Sequence, residues 1–189
     1  MKELLKRLDE LFAEKERVIL AVDGPCASGK TTLANRLAEQ FDCNVIRVDD
    51  FFLRPEQRTK ERLAEIGGNF DRERFWSEVL TPLIRFEEFS YRPYCCCSGD
   101  FGEVVFVPRK KLYVIEGSYS HHPFFGKLAY DLRVFTEISP EKQKERLAAR
   151  NPEKLDRFLS EWIPKENAYF EKFHIRDQAH ICMEVKENS

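Results

Sequence analysis

Residues 17–32 read RVILAVDGPCASGKTT, and the run Gly24-Pro25-Cys26-Ala27-Ser28-Gly29-Lys30-Thr31 fits the phosphate-loop pattern G-x-x-x-x-G-K-[ST] without a mismatch. The apolar stretch 17–22 before it has the length and composition of a short strand. After it, residues 31–40 have the period of an amphipathic helix, with Leu33, Leu37 and Phe41 on one side. That strand–loop–helix context separates a phosphate loop from a chance glycine turn. Glycines let backbone N–H groups turn inward without a Cβ in the way, and the following helix aims its positive end at the same point. The spacing predicts that Gly24, Ala27, Ser28 and Gly29 cradle the phosphates of ATP. Lys30 would reach the β and γ phosphates, Thr31 would place a hydroxyl on Mg²⁺, and Thr32 would bond the α phosphate. The loop alone does not choose between a kinase, a GTPase and an ATPase.

Working outward, short apolar runs at 44–48, 111–115, 131–136 and 180–185 add four strands to the first. Helices are predicted over 56–66, 72–86, 140–150 and 154–173, the last with a break at Pro164, which has no N–H to give. Near-continuous apolar strands alternating with helices imply a parallel sheet covered on both faces. The expected fold is α/β: a three-layer P-loop NTPase sandwich with a five-stranded parallel sheet, plus a small helical and hairpin insertion. One domain, 1–189, is expected. A leading helix spans 1–16, with Leu4, Leu5, Leu8, Leu11 and Phe12 at helical spacing; it either packs on the domain or mediates a homo-oligomer. Residues 53–109 form the insertion, with a hairpin in 91–107 turning near 98–102. Residues 140–173 carry lid and C-terminal helices.

Ligands of an open parallel sheet bind at the carboxyl ends of its strands. Two predicted strands end there in acids, Asp49-Asp50 and Glu116. A hydroxyl that accepts a phosphoryl group must lose its proton, so Asp49 is read as general base. Glu116 is read as the acid on the metal side. Phe52 lies two residues after the acid pair and is placed at the acceptor pocket. Arg146 and Arg150 share a helix face, and Arg157 follows; planar, permanently charged guanidinium groups suit a lid over a transferring phosphoryl group.

The segments Val18-Ile-Leu-Ala-Val-Asp23 with its loop, Val48-Asp-Asp-Phe-Phe52, Asn69-Phe-Asp71, Ile115-Glu-Gly-Ser-Tyr119 and Glu145-Arg-Leu-Ala-Ala-Arg150 together resemble the uridine kinase family. That family is itself similar to nicotinamide riboside kinase, pantothenate kinase and phosphoribulokinase. The resemblance implies a P-loop kinase fold and ATP-dependent transfer to a primary hydroxyl. It places Asp49 on the family's catalytic aspartate and Asp71 on the acid that binds the substrate sugar's hydroxyls. The expected acceptor is a uridine- or cytidine-like nucleoside or a related small alcohol. Nicotinamide riboside, pantothenate and a non-catalytic ATP-binding regulator are the alternatives. Cys95 departs from the family, where an aspartate often follows the second tyrosine.

Tyr91 and Tyr94 offer flat faces and hydroxyls to a ring-bearing acceptor, or else pack the hairpin. His121 and His122 either touch substrate or are ordinary loop histidines. Cys26 precedes a helix N-terminus, which would lower its pKa. Three adjacent cysteines, Cys95, Cys96 and Cys97, point alternately to opposite faces of a strand and do not make a metal site.

Composition narrows the partners. With 31 basic and 33 acidic residues the net charge is -2, so nothing draws the chain to nucleic acid or an anionic membrane. No run approaches the ~20 apolar residues needed to cross a bilayer. No Asn-Lys-x-Asp guanine-reading motif occurs. Six cysteines without a secretory signal suit reduced thiols in the cytoplasm.

Overall fold

A computed structural model describes residues 1–126 and 130–186. Strand β1 (Val18–Asp23) runs through the centre of a five-stranded sheet. Around it lie β2 (Cys43–Arg47), the short insertion strands β3 (Phe89–Tyr91), β4 (Tyr94–Cys95), β5 (Asp100–Phe101) and β6 (Val105–Val107), then β7 (Leu112–Glu116), β8 (Leu132–Glu137) and β9 (Ile181–Glu184). The main sheet has the order β2-β7-β1-β8-β9, and every pairing in it is parallel. Val22 stands opposite Glu116 on one side and Val134 on the other, and Arg47 also pairs with Glu116. The strand ends that carry acids are therefore side by side along one edge.

Alternation along the buried strands sorts the core into two layers. Val18, Leu20 and Val22 of β1 join Leu112, Val114, Leu132 and Val134 on one face. There α1 (Lys2–Glu14) brings Leu4 and Leu8, and α2 (Lys30–Gln40) brings Leu33 and Leu37. Ile19 and Ala21 face the other way, with Ile46, Tyr113, Ile115 and Phe135. The leading helix thus packs on its own sheet, and the expected three-layer α/β sandwich is what the chain forms.

The insertion is less regular than expected. The helix predicted over 56–66 divides into a 3₁₀ turn at Pro55–Gln57 and α3 (Lys60–Ala64), because Thr59 caps a new start, its hydroxyl accepting from the Arg62 N–H at 3.1 Å. One helical run then passes through α4 (Arg72–Phe75), a π-helical segment (Trp76–Leu80) and α5 (Thr81–Ile84). The hairpin pairs β3 with β6 and β4 with β5, turning at 96–99, slightly earlier than predicted. Its Phe51, Phe70, Phe75 and Val79 neighbours extend the second core layer.

After α6 (Pro140–Arg150), α7 (Leu155–Arg157) leads through a π-helical segment (Phe158–Trp162) into α8 (Ile163–Lys172). The break predicted at Pro164 does not occur. The widened turn before it absorbs the missing donor, a usual place for π geometry. No helix among the described residues is long and apolar enough to cross a membrane. The six cysteines are free thiols.

Candidate active site

The phosphate loop leaves β1 at Gly24, whose φ of +143° and position are both restrictive. A Cβ there would lie 2.4 Å from the Thr136 carbonyl oxygen on β8. Ala27 (φ 61°) and Gly29 (φ 98°) both take left-handed backbone, and alternation of this kind turns successive N–H groups into one concavity. Ser28 is fully buried and shares a 2.5 Å hydrogen bond with the Thr136 hydroxyl, so its side chain anchors the loop from beneath. Lys30 is 9% exposed and donates to the Gly24 and Pro25 carbonyls at 2.7 and 2.9 Å, folded along the loop it serves.

This loop forms one wall of a cavity of about 1150 Å³. Ala27, Gly29, Lys30, Thr31 and Thr32 line it, together with Asp49, Phe52, Glu116, Arg146, Arg150 and Arg157. Asp49 stands on the 3₁₀ turn that ends β2, open to the cavity yet ringed by protein. Burial raises its pKa above the ordinary carboxylate value, with Lys30 opposing and the Glu166 charge adding to the rise. Glu116 ends β7 and accepts from the Thr31 hydroxyl at 3.1 and 3.2 Å. Its pKa is also raised, chiefly by burial, against the pull of Lys30.

Thr31 and Glu116 suit Mg²⁺, which is usually held through one or two carboxylates, substrate phosphates and water. No cluster of three His, Cys, Asp or Glu side chains among the described residues forms a dedicated cage. The donor set therefore fits a metal that arrives with a polyphosphate.

Arg146 donates to the Ala27 carbonyl at 3.0 Å, tying α6 to the loop. Arg150 bonds Asn151 at 3.1 Å, and its charge helps stabilise ionised Asp49. Arg157 pairs with Glu161 at 2.9 Å and lies over the Trp162 ring at 4.7 Å.

Three expected acceptor contacts are not assembled here. Asp71 is 2% exposed, capping α4 through the Arg74 N–H at 3.1 Å and accepting from Gln57 at 2.8 Å; it does not line the cavity. Its place just before a helix puts it to work as an N-cap. Tyr91 is 5% exposed, its ring against Phe51 and its hydroxyl donating to Asp50 at 3.1 Å. Tyr94 is 4% exposed and packs edge-on against Phe101. Both tyrosines pack the hairpin and lie outside the cavity lining. His121 and His122 are likewise interior, and burial lowers the His121 pKa to about 3. Cys26 is corrected too: burial and the Glu166 charge push its thiol up to about 12, reversing the expected helix effect.

Sequence reading missed Glu166. It sits on α8, 7% exposed, and lines the cavity. It accepts from the Cys26 N–H at 2.8 Å and the Ser118 hydroxyl at 2.6 Å. Nothing local marks it, because the partner amide lies 140 residues earlier. Asp23 was also missed as a site element, although it too is an acid at a strand end. It is fully buried and accepts from the Gly24 N–H (2.7 Å), the His121 N–H (2.9 Å) and the Tyr169 hydroxyl (2.8 Å). Asp23 fixes the root of the loop, and Glu166 fixes its crest. Glu166→Ala should strand a loop amide and lower stability by ~1–3 kcal/mol, with Glu166→Gln intermediate. Urea unfolding reads this directly, and two unchanged midpoints would remove Glu166 from the account.

No protein-family profile matches the sequence, and no curated protein does. Solved structures do match. A protein described as a possible uridine kinase from Bacillus stearothermophilus aligns at TM-score 0.64 and 19% identity, over 96% of this chain and 100% of its own. D-glycerate 3-kinase from Cryptococcus neoformans aligns at 0.59 and 14%, over 85% and 84%. Shikimate kinase from Acinetobacter baumannii aligns at 0.50 and 17%, over 93% and 88%. At these identities the likeness establishes the fold alone, the α/β arrangement around a parallel sheet that this chain shares with the three structures.

Proposed function

We propose that the protein is a kinase that transfers the γ-phosphoryl group of Mg-ATP to a hydroxyl of a small molecule. The observation that carries this reading is the meeting of Lys30, Thr31, Asp49 and Glu116 with the arginines of α6 in one cavity. An ATP-sensing regulator needs the first two alone.

The phosphate loop binds the nucleotide through its inward amides, with Lys30 neutralising the β and γ phosphates. Thr31 and Glu116 would hold Mg²⁺ together with the nucleotide, and the ion would supply positive charge to offset that of the phosphates. Asp49 takes the proton from the acceptor hydroxyl while that oxygen forms its bond to the γ phosphorus. The bond from the γ phosphorus to the β–γ bridging oxygen breaks, and ADP leaves with that oxygen. Arg150 and Arg146 spread positive charge over the transferring group as α6 and α8 close the cavity to water.

In this reading residues 53–109 receive the acceptor, and 140–173 form the lid. Uridine, glycerate and shikimate, named for the three structural relatives, have a hydroxyl in common. A nucleoside acceptor has the family resemblance behind it but lacks Asp71, Tyr91 and Tyr94 at the cavity wall. Free thiols suit action in a reducing cytoplasm.

The experiment is equilibrium binding of Mg-ATP followed by ADP release on a panel of nucleosides and small hydroxy compounds. Binding with acceptor-dependent ADP release is expected. Binding with no release on any acceptor would favour a regulator, and no binding would end the reading.

A further inference from the structure

The insertion and Phe52 just before it contribute Phe52, Leu53, Arg58, Leu63, Asn69 and Cys96 to the cavity wall. Among these six, Arg58 alone is charged. Five arginines lie between positions 54 and 74, and four of them are paired with acids. Arg54 meets Glu56 at 3.4 Å, Arg62 meets Glu73 at 2.7 Å, Arg72 meets Glu65 at 2.6 Å and Arg74 meets Glu78 at 3.1 Å.

Arg58 differs. Its Nε donates to the Leu53 carbonyl at 2.9 Å, and one Nη lies 3.6 Å from the Cys96 sulfur. Burial raises the Cys96 thiol above its ordinary value, so at neutral pH that sulfur is protonated and is no counter-ion. No acid among the described residues pairs with Arg58. The Leu53 bond holds the base of the guanidinium and the Cys96 sulfur takes one Nη donor, leaving the remaining Nη donors beside the cavity. The acids that do line the cavity belong to the phosphate-loop side and the lid: Asp49, Glu116, Glu145, Glu161 and Glu166. The wall facing an acceptor is thus apolar, with one amide and one cation lacking an anion.

We propose that the acceptor is a small hydroxy acid whose carboxylate is bound by Arg58. The inference rests on the kinase reading above and narrows its acceptor. A planar guanidinium matches a carboxylate with two parallel N–H···O bonds. A single cation balances a monoanionic carboxylate, whereas a dianionic phosphate calls for more. Phe52, Leu53 and Leu63 then cover a short carbon skeleton, Asn69 offers a donor and an acceptor to its hydroxyls, and the reacting hydroxyl lies toward Asp49.

Matched acceptors test this with the full-length protein and Mg-ATP. Glycerate is compared with glycerol and glycerol 3-phosphate, pantothenate with panthenol, and uridine stands outside both sets. The acids should exceed their neutral partners in kcat/KM by ~10-fold or more, the scale of a charge-assisted hydrogen bond. Arg58→Gln should raise KM for the acid by a similar factor and erase the preference, and Arg58→Lys should restore part of it. Mg-ATP affinity should stay within about two-fold in both variants, since Arg58 lies on the acceptor wall. Equal turnover of acid and neutral partners, a preference for glycerol 3-phosphate or uridine, or a preference that survives Arg58→Gln would each overturn the proposal. Mg-ATP binding with no phosphorylation of any acid would also overturn it and leave the kinase reading standing. Failure to bind Mg-ATP would instead remove the reading beneath it.

Discussion

Asp49→Asn is expected to lower turnover by ~10²-fold or more, the scale of a lost general base, while Mg-ATP affinity changes by a few-fold at most. Asparagine keeps the shape of the side chain and loses the basic lone pair, so the loss falls on kcat. The pH dependence gives a second reading of the same group. Burial lifts the Asp49 pKa, the Glu166 charge lifts it further, and Lys30, Arg150 and Arg47 oppose them. The base form is gained as pH rises through that elevated value. The rate should therefore climb from the acid side with a midpoint above that of an ordinary carboxylate. Asp49→Asn should abolish that limb. Glu166→Gln removes a negative neighbour and should move it to lower pH. Stopped-flow or steady-state rates across a pH series measure all three enzymes. An Asp49→Asn enzyme with near-normal turnover and an intact acid limb would take the base role away from Asp49.

Lys30→Met is the second large effect, with kcat/KM expected to fall by ~10²- to 10³-fold, comparable to losing one preorganised charge-stabilising donor. The lysine has two tasks in this structure. It spans the loop by bonding Gly24 and Pro25, and it is a cation common to Asp23, Asp49 and Glu116 that opposes the rise in their pKa values. Those three carboxyls have folded-state values above their ordinary ones. Their contribution to stability is thus present at acid pH and lost as pH rises through the raised values. Without Lys30 all three carboxylates lose a cation that offsets the cost of ionising them in a buried place. The variant should be destabilised most at neutral pH, and the defect should shrink on acidification. Thermal unfolding at neutral and acid pH, with Mg-ATP titration, measures both tasks. Unchanged nucleotide affinity and a stability defect independent of pH would contradict this account of the lysine.

The pairing of these two variants follows from how the cavity is charged. The proposed reaction needs Asp49 and Glu116 ionised where burial resists it; Lys30 and Arg47 ease both, and Arg150 also eases Asp49. The acids at the ends of neighbouring strands lie close because the sheet is parallel and in register, Val22 and Arg47 both opposite Glu116. The same proximity sets Glu116 against the Asp49 charge, which raises the Glu116 pKa further.

The chain itself determined whatever depends on neighbours along the sequence. The phosphate loop is one such feature, since its left-handed turns and helix start are requirements of eight consecutive residues, Gly24 to Thr31. The five strands and the acids at their ends are another, because burial on both faces leaves continuous apolar runs in the sequence. Tertiary structure alone decided which side chains share the cavity. Asp71 carries the right residue type at the expected position, yet capping α4 buries it outside the cavity lining. Tyr91 and Tyr94 are taken up by hairpin packing. Glu166 joins the loop from a helix near the other end of the chain, and Arg58 stands out only once the acid partners of Arg54, Arg62, Arg72 and Arg74 are known. The physical reason is common to all four cases. Local backbone needs repeat at fixed spacing and leave a pattern, whereas burial, charge pairing and long-range hydrogen bonds depend on distances that exist only after the sheet has brought remote segments together.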